Sequence, residues 1–392
     1  MSASAAGKSV YDVIVVGAGS MGMSAGYYLA ASGVRTLLID AYDPPHREGS
    51  HHGEPRLIRH AYSGGETYIK LALRAQQLWE EAEELTGVKL LERSGVLNIA
   101  DPERYSYRGR AGDAEQLGVV TELLSAAEIR HRWAGLTLSD PFEAMYEPNA
   151  GYLYSEQCVA AYRTLALAHG AELIVNTPVQ GITAREESVT VHTAQGDYHA
   201  GSAILSAGAW FNTLAPFVQL PIRSVRKVVG WFETKGETFD AGRFPGFTLG
   251  SSHGGFYGFP NIGGAGLKIG RHDGGVSWQP GETAAPFGEY AEDEGDLRVA
   301  LEAFMPSAAG RLLRSAVCKY ELTPDEGFII DHHPEHPHVY IAGGFSGHGF
   351  KFSSAVGELL SGLVQGMKPD AADISPFSLA RFTTSASPAS HT

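Results

Sequence analysis

The sequence predicts an α/β fold, in which a doubly wound, Rossmann-like parallel sheet is interrupted by a second domain rich in mixed β-sheet. Three observations near the start of the chain support it. Residues 13–16 are all β-branched, which is typical of a strand buried on both faces. Gly17, Gly19 and Gly22 follow directly, and Asp40 ends the next apolar strand. This order of strand, glycines, helix, strand and acid indicates a dinucleotide-binding domain.

The glycine turn and its helix would hold the diphosphate of an ADP-containing cofactor. One glycine permits the tight turn, one lets the backbone approach the pyrophosphate, and one allows the helix to pack on the strand. Residues 20–32 are predicted to form that helix, with free N–H groups toward the diphosphate and Gly33 as its left-handed end. Asp40 can accept the hydroxyls of an adenosine ribose, which favours FAD or NAD over NADP. The choice between FAD and NAD stays open at this point.

Size and composition limit the class of protein. A chain of 392 residues is expected to form two domains. Hydrophobic residues make up 43% and charged residues 19%, as in ordinary soluble globular proteins. The formal net charge of -14 argues against nucleic acid or an anionic membrane as a partner.

The cysteines and the termini predict a cytoplasmic location. Cys158 and Cys318 are the two cysteines, which is too few for a disulfide framework and suits a reducing compartment. No apolar run approaches the roughly 20 residues of a membrane span. The first residues, MSASAAGKS, lack the apolar core of a secretory signal. The last, SASPASHT, are expected to form a disordered tail and do not match a peroxisomal signal.

The first part of the chain after Asp40 alternates between loops and helices. Residues 41–65, rich in Pro, Gly, His and Arg, are predicted to be an extended loop that carries functional groups. A helix is expected over 67–86, because its apolar residues recur at helical spacing and Gly87 follows them. A strand over 94–99 and a polar helical stretch over 113–132 come next.

From residue 151 the pattern returns to α/β and later becomes β-rich. A helix is predicted over 156–168, and strands are predicted over 172–176, 188–193 and 202–206, the last leading into a turn at 207–210. Aromatic and glycine-rich strands begin near residue 226 and are suited to lining a pocket. A helix near 293–304, a strand over 339–342 and a second glycine-rich turn into a helix complete the series.

These elements divide the chain into two discontinuous domains. Residues 1–85, 145–225 and 320–392 are expected to form the dinucleotide-binding domain. Residues 86–144 and 226–319 are expected to form the substrate domain. The last glycine-rich turn would bring a second helix N-terminus to the same cofactor.

Six motifs, in order along nearly the whole chain, resemble the family of monomeric sarcosine oxidase and N-methyltryptophan oxidase. They are GAGSMG from Gly17, GSHHGEPRLIRHAY from Gly49, YGFP from Tyr257, LKIGRH from Leu267, AVCKY from Ala316 and GFSGHGFKFSS from Gly344. The resemblance implies a flavoenzyme that carries FAD covalently and oxidises the N-methyl group of a secondary amino acid. The imine product then hydrolyses to formaldehyde and a primary amino acid, and oxygen is reduced to hydrogen peroxide.

The resemblance assigns Cys318 and Lys268 to the flavin. A buried free cysteine is usually an inert small hydrophobe, but the family's cysteine in the AVC-x-Y motif is bonded through sulfur to the flavin 8α carbon. Cys158 matches no family role and is expected to serve packing. Lys268 matches the family's oxygen-activating lysine. From strand alternation alone, with Leu267 and Ile269 toward the core, Lys268 would be an ordinary solvated lysine.

Other matched residues would bind the substrate and complete the flavin site. Arg59 and Lys351 match the family's carboxylate clamp, in which arginine supplies a bidentate fork and lysine a point charge. His272 matches a histidine at the substrate amine or carboxylate. The residues implied for substrate and catalysis are Lys268, His272, Arg56, Arg59, Lys351, Tyr257 and Tyr320. Those implied for the cofactor are Gly17, Gly19, Ser20, Met21, Gly22, Asp40, Ser50, His52, Arg56, Val179, Gly208, Cys318, Gly347 and Lys351.

Two departures from the family pattern concern the pocket and the flavin loop. Thr248 stands where sarcosine oxidase has a methionine, and residues 250–255 are small, so a substrate larger than sarcosine is expected. Pro55 stands where relatives have a hydroxyl residue, which removes a hydrogen-bond donor. The histidine-rich stretch DHHPEHPH, residues 331–338, is interpreted as a surface loop rather than a metal site, because its prolines and spacing do not suit a rigid ligand set.

The sequence leaves several functions open. The first is a monomeric FAD-dependent oxidase acting on a secondary amino acid with oxygen, either sarcosine oxidase or the N-methyltryptophan type. The second is an oxidase or dehydrogenase of proline or pipecolate with the same fold. The third is a flavin-binding module without catalysis, against which the joint presence of Lys268, Arg59, Lys351 and Cys318 argues, because binding FAD does not require that set.

Overall fold

The computed structural model describes residues 11–367 and 374–382. The expectations for the first ten residues and for residues 385–392 lie outside this part of the chain. In the described residues the α-helices are α1 (Ser20–Ala31), α2 (Glu66–Thr86), α3 (Arg108–Gln116), α4 (Ala126–Arg132), α5 (Ser155–Ala168), α6 (Glu292–Phe304) and α7 (Ser353–Val364). None of these helices combines the length and apolarity that crossing a bilayer requires.

The strands of the described residues form three sheets. In chain order they are β1 (Tyr11–Val16), β2 (Thr36–Ile39), β3 (Arg56–Ile58), β4 (Leu91–Glu92), β5 (Val96–Ala100), β6 (Glu122–Ser125), β7 (Glu143–Glu147), β8 (Gly151–Leu153), β9 (Glu172–Ile174), β10 (Val179–Arg185), β11 (Ser188–Thr193), β12 (Gly196–Leu205), β13 (Arg223–Phe232), β14 (Gly246–Ser251), β15 (Gly254–Phe259), β16 (Leu267–Arg271), β17 (Val276–Ser277), β18 (Leu312–Leu322), β19 (Ile329–His332) and β20 (Val339–Gly343).

The described residues form two compact units, and each is built from separated segments of the chain. Unit 1 takes the residues up to His51, Glu156–Arg223 and those from Glu321 onward. Unit 2 takes His52–Ser155 and Ser224–Tyr320. The boundaries differ from the expected ones at 52–85, 145–155, 224–225 and 320, which lie in unit 2. The reason is local pairing, since β8 pairs with both β3 and β4 and so holds all three in one small sheet.

Unit 1 is built on an eight-stranded sheet. Its order is β10-β11-β12-β1-β2-β9, with β20 also pairing with β12, and β19 with β20. The pairs β1 with β12, β1 with β2, β2 with β9 and β12 with β20 are parallel. Ile14 and Val15 are fully buried, as the continuous β-branched run predicts. The α/β prediction is therefore confirmed for this unit.

Helix α1 packs closely against α7 across a long distance in sequence. The Ser24 hydroxyl donates to the backbone oxygen of Ser354 at 3.3 Å. A Cβ at Gly357 would lie 2.2 Å from the Ser24 oxygen and 2.6 Å from the backbone nitrogen of Ala25. Only a glycine at position 357 therefore allows this approach of the two helices, because such distances are far shorter than a van der Waals contact.

Unit 2 is built on a nine-stranded sheet and a three-stranded sheet. The larger sheet has the order β17-β13-β16-β15-β14-β5-β7-β6, with β18 also pairing with β13. The pairing of β14 with β5 is parallel, whereas β15 with β14 and β16 with β15 are antiparallel. The core over this sheet is rich in phenylalanine, including Phe232, Phe239 and Phe247. The mixed β-rich character of the second domain is confirmed.

Three local expectations need correction. Residues 113–132 are not one helix, because Gly118, with φ of +80°, follows the end of α3, and β6 intervenes before α4. Helix α4 begins with its own capping box, formed by Ser125 and Glu128. The loop expected over 41–65 contains β3. The stretch 331–338 begins inside β19, and His333 is buried with its Nε2 2.7 Å from the backbone oxygen of Phe217, so it is not wholly a surface loop.

Candidate active site

Two glycines of the fingerprint are required by the packing of unit 1 itself. Strand β1 ends at Val16, and Gly17 follows with φ of +90°. A Cβ at Gly17 would lie 2.5 Å from the backbone oxygen of Ser206, and one at Gly22 only 1.9 Å from that of Gly17. Neither position accepts a side chain without moving backbone. These glycines therefore shape the turn and bring α1 onto the sheet.

Gly19 is a glycine for a different reason. A Cβ there would meet only the Nδ1 atom of His51, at 3.9 Å, so the protein leaves this space open. Gly19 is also the N-cap of α1, and no side chain caps the helix. The first turn of α1, with Ser20 and Met21, therefore offers its N–H groups and positive dipole end beside an open space. This arrangement fits the diphosphate of a dinucleotide.

Asp40 is held at the end of β2 with its carboxylate already oriented. Its Oδ2 accepts from the backbone N–H of Ala18 at 2.7 Å, and its Oδ1 accepts from that of Tyr42 at 2.8 Å. The Nε2 atom of His46 lies 3.2 Å from Oδ1. A carboxylate oxygen can accept more than one hydrogen bond, so capacity remains for a ribose hydroxyl. The residues of unit 1 thus fit an ADP-containing cofactor.

Gly22→Ala and Gly19→Ala are expected to affect different properties, the first stability and the second cofactor binding. Gly22→Ala should lower the free energy of unfolding by about 1–3 kcal/mol or more, because its methyl collides with backbone. Gly19→Ala should cost the apoprotein less than about 1 kcal/mol but lower its cofactor content, because the methyl fills the open space. Thermal unfolding and flavin absorbance per chain measure the two effects. Equal loss of stability in both variants would contradict the assignment of Gly19.

The remaining implied residues of unit 1 lie at turns and element ends. Val179 begins β10, and Gly208, with φ of +55°, begins the 3-10 helix Gly208–Leu214. Gly347 has φ of +74°. Ser50 lies in the turn before unit 2 begins. Lys351 is 5% exposed in the 3-10 helix Phe350–Phe352, and its Nζ donates to the backbone oxygen of His348 at 2.6 Å.

Glu321 is a buried acid of unit 1 that sequence reasoning did not identify. Its Oε1 accepts from the backbone N–H of Phe345 at 3.4 Å, whereas its buried Oε2 has no hydrogen-bond partner among the residues that the structure describes. Burial raises the pKa of Glu321 to about 7, and the backbone N–H groups of Phe345 and Gly344 offset this only in part. The signal available in the sequence was a single acid directly after a motif of buried residues, CKY.

Glu321→Gln is expected to stabilise the protein at high pH. The unfolded carboxyl ionises near pH 4.5 and the folded one near pH 7, so the stability present below pH 4.5 is lost as pH rises through 7. The loss is up to about 3 kcal/mol. The advantage of the variant should therefore grow between pH 5 and pH 8, measured by denaturant unfolding. Glu187→Gln, at an exposed position, serves as the control, and equal curves for Glu321→Gln and wild type would contradict the argument.

Lys268 in unit 2 is a buried cation. It lies on β16 and is 1% exposed. Its Nζ donates to the backbone oxygens of Gly53 at 2.6 Å and Pro55 at 3.0 Å. The ammonium also lies 5.3 Å and 4.8 Å from the ring centroids of Trp231 and Phe259. The alternative of a solvated lysine is wrong, because both faces of β16 are covered.

Arg56 shapes the same loop from the other side. Its guanidinium donates to the backbone oxygens of His52 at 2.5 Å, Gly53 at 2.8 Å and Pro55 at 3.0 Å. The oxygens of Gly53 and Pro55 thus each accept from both Arg56 and Lys268. Pro55 has no N–H to donate, but its oxygen joins the two cations to one loop, which concentrates positive charge there.

Cys318 lies beside this charge with two tyrosines. It is a free thiol, 7% exposed on β18. Burial raises the pKa of the Cys318 thiol, while the positive charges of Arg56 and Lys268 act in the opposite direction. The Tyr320 hydroxyl donates to that of Tyr257 at 3.3 Å, and burial raises the pKa of Tyr257 to about 12 and that of Tyr320 well above its usual value. Both tyrosines therefore stay neutral at physiological pH.

His272 is fixed near Tyr320 by a lysine that sequence reasoning missed. The rings of His272 and Tyr320 are 5.9 Å apart. The Nζ of Lys227 donates to the backbone oxygens of His272 at 2.9 Å, Asp273 at 2.7 Å and Gly274 at 3.2 Å. Lys227 is 5% exposed. Its three carbonyl partners hold the segment that carries the imidazole.

Arg59 contacts a different set of residues in unit 2. Its guanidinium lies 4.6 Å from the ring centroid of Tyr62, and its buried Nη1 has no acceptor. The neighbouring backbone is held by Glu147, which accepts from the N–H groups of His60 at 2.7 Å and Ala61 at 3.0 Å. Glu147 is 1% exposed and lies on β7. The segment around Arg59 is therefore held firmly while part of its guanidinium lacks an acceptor.

Thr248 belongs to a polar chain rather than to an apolar wall. Its hydroxyl donates to Oδ1 of Asn98 at 3.1 Å, and the Asn98 amide donates to Oε1 of Glu147 at 3.1 Å. Tyr107 also shares a side-chain hydrogen bond with Thr248. Thr248 therefore belongs to a network of side-chain hydrogen bonds. The sequence had predicted only a larger pocket at this position.

Comparisons with known proteins identify the family of the chain. Residues 12–363 match the model of the FAD dependent oxidoreductase family. The chain is 48% identical to monomeric sarcosine oxidase of Bacillus sp. (strain NS-129), over 95% of this chain and 97% of that protein. It is 41% identical to N-methyl-L-tryptophan oxidase of Yersinia pestis (strain Pestoides F), over 95% and 99%. The structure of L-proline dehydrogenase from P. horikoshii shares the fold, with a TM-score of 0.83 at 22% identity, covering 96% and 98% of the chains.

Proposed function

Because this chain belongs to the FAD-dependent oxidoreductase family, in the branch of monomeric sarcosine oxidase and N-methyl-L-tryptophan oxidase, we propose that it is an oxidase of N-methyl amino acids. The observation that carries the proposal is the buried ammonium of Lys268, held by two carbonyls of the loop that Arg56 also binds. A flavin-binding module without catalysis has no use for a desolvated cation at that position. Removing an ammonium group from water is costly, which favours a functional role for this lysine.

The proposed reaction takes up one oxygen and one water for each amine. An N-methyl amino acid, oxygen and water give the primary amino acid, formaldehyde and hydrogen peroxide. When bound, FAD accepts the two electrons of the N-methyl C–H bond and passes them to oxygen. The residues of the chain bind the acid, orient the amine and stabilise charge.

Residues of unit 1 are proposed to bind the ADP part of the cofactor, and Cys318 of unit 2 is proposed to attach the flavin. Gly19, the first turn of α1 and Asp40 would hold the ADP part. Cys318 would lose its thiol proton and form an S–C bond to the 8α carbon, which loses one proton. The two electrons released pass to oxygen, which becomes hydrogen peroxide. The positive charges of Arg56 and Lys268 favour the thiolate that this step needs.

Substrate binding is proposed for the other matched residues. Arg59 and Lys351 would bind the carboxylate, because a guanidinium lacking an acceptor is suited to an incoming anion. His272 would hold the amine in its neutral form, since a secondary amine must lose its proton before the C–H bond breaks. Tyr257 and Tyr320 would enclose the N-methyl group. Their neutral hydroxyls add no charge near the reacting carbon.

Lys268 would act on oxygen. A fixed positive charge stabilises the negative charge that develops as oxygen takes its first electron, and in a site without water it does so with no reorganisation. Its two carbonyl partners hold the ammonium in place without neutralising it. The role follows from the charge and not from proton transfer.

The protein is proposed to act as a monomer in the cytoplasm. The printed name of the 48% identical relative supports a monomer. Neither Cys158 nor Cys318 forms a disulfide in the part of the chain that the structure describes, which suits a reducing compartment.

Anaerobic bleaching of the flavin by sarcosine, N-methyl-L-tryptophan, L-proline and L-pipecolate tests the proposal. We expect an N-methyl amino acid to bleach it fastest, and oxygen uptake to match peroxide release. Thr248 in place of methionine favours an acid bulkier than sarcosine. Fastest bleaching by proline, or turnover without oxygen uptake, would favour a dehydrogenase of cyclic amino acids. No bleaching by any of the four would overturn the oxidase.

A further inference from the structure

Arg110 places a second guanidinium next to Arg59. It belongs to α3, and its guanidinium carbon lies 5.7 Å from the ring centroid of Tyr62, the same ring over which Arg59 lies at 4.6 Å. It also lies 5.6 Å from the ring of Tyr107. The two arginines therefore share one aromatic partner in unit 2. Two like charges so placed repel unless an anion accompanies them.

Neither arginine has a carboxylate partner within ion-pairing distance in the described residues. The Nε of Arg110 donates to the backbone oxygen of Ala61 at 2.5 Å. The Nη2 of Arg110 and the Nη1 of Arg59 are both buried, and neither has an acceptor among the described residues. Buried donors of this kind normally have a partner, because leaving one unsatisfied costs about 1–3 kcal/mol. One guanidinium nitrogen without an acceptor on each of two arginines around one ring thus indicates an acceptor that the described residues do not supply.

The acid Glu147 of this region is already engaged. Glu147 acts on the pKa of Tyr62 and Tyr107 by its charge, so it lies in their surroundings. Its two oxygens accept from His60, Ala61 and Asn98, which fixes it to the backbone. It therefore cannot turn to neutralise the arginines.

The hydrogen-bonded chain of Thr248, Asn98 and Glu147 adjoins the two arginines. Tyr107 connects the two, because its ring lies beside Arg110 and its hydroxyl bonds to Thr248. This region presents a guanidinium and hydroxyl groups instead of apolar side chains. It suits a substrate side chain that carries a negatively charged, hydrogen-bonding group.

We propose that this enzyme prefers N-alkyl amino acids whose side chain carries a second carboxylate, and that Arg110 binds that carboxylate. The proposal rests on the proposed oxidase function, in which Arg59 takes the α-carboxylate. Arg110 is then the residue that sets specificity, and Tyr62 is the spacer between the two anion-binding groups.

The test compares sarcosine with N-methyl-L-aspartate and N-methyl-L-glutamate, by flavin bleaching and by kcat/KM with oxygen. We expect one dicarboxylic acid to exceed sarcosine in the wild type. Arg110→Met should lower kcat/KM for that acid by about 10- to 100-fold, mostly through KM, because a charge-assisted hydrogen bond is lost. The same substitution should change kcat/KM for sarcosine by no more than about threefold, the size of a weak surface effect. Arg108→Met, an exposed arginine on the same helix, is the matched control.

Binding without turnover gives a second readout. Succinate should perturb the flavin absorbance of the wild type at lower concentration than acetate, and Arg110→Met should remove the difference. An equal fall for sarcosine and the dicarboxylic acid would show that Arg110 only anchors Ala61, and would overturn the proposal. Sarcosine oxidation without preference for a dicarboxylate would overturn it too. Failure of every N-methyl acid would instead overturn the proposed function.

Discussion

Cys318→Ala is expected to release the flavin from the polypeptide. Acid precipitation of the wild type should leave the yellow colour in the pellet, and precipitation of the variant should leave it in the supernatant. The reason is that Cys318 is a buried free thiol on which the positive charges of Arg56 and Lys268 act, and these charges oppose the rise in its pKa that burial causes. Flavin fluorescence of denatured protein after gel separation gives the same readout.

Cys158→Ala is the matched control for this prediction. Cys158 is likewise buried and forms no disulfide among the described residues, but it lies on α5 in unit 1. Both substitutions remove one sulfur atom from a core and should lower stability by a similar amount, about 1–2 kcal/mol. Flavin that stays in the pellet from Cys318→Ala, or leaves with Cys158→Ala, would show that the attachment is elsewhere.

Lys268→Met is expected to slow reoxidation of the reduced flavin by oxygen about 10²- to 10³-fold, the range for removal of one fixed electrostatic group. The methionine keeps the apolar stem between Trp231 and Phe259 but removes the charge. Anaerobic reduction by substrate should change much less, because it does not produce the negative charge that Lys268 stabilises. Stopped-flow absorbance separates the two half-reactions.

Lys268→Gln distinguishes charge from hydrogen bonding. A glutamine amide can still donate to the oxygens of Gly53 and Pro55, so it retains part of the loop contact. If the charge is what acts on oxygen, this variant should be as slow as Lys268→Met. Reoxidation at the wild-type rate in Lys268→Gln would show that the loop contact, and not the charge, is what matters.

The sequence predicted best where the structural cause is local. The turn from Gly17 to Gly22 depends on the backbone of Gly17 itself and on one distant residue, Ser206. The spacing of its glycines therefore predicted the turn directly. Strand alternation was a poorer guide to Lys268, because it assumes one covered face and β16 has two. The break between α3 and α4 was missed because the polar composition of residues 113–132 hides the left-handed Gly118.

The residues that sequence reasoning missed are those whose partners are distant in the chain. Glu147 holds the backbone of His60 from 87 residues away, and Lys227 reaches His272 from 45 residues away. Arg110 reaches the oxygen of Ala61 over 49 residues. No local pattern marks such contacts, since a lone charged residue in a strand or a helix is most often solvated. Only the assembled sheet shows which of them are buried.

The packing of α1 on α7 has a consequence for the order in which the protein acquires its fold during synthesis. The cofactor fingerprint is synthesised before α7, and Ser24 meets its partner Ser354 only after 330 further residues. Contacts of such separation form late, because the intervening chain must first be closed into a loop. The side of α1 that packs on α7 therefore stays uncovered by α7 until those residues are made, and exposed apolar surface of this kind makes unfinished chains prone to aggregate.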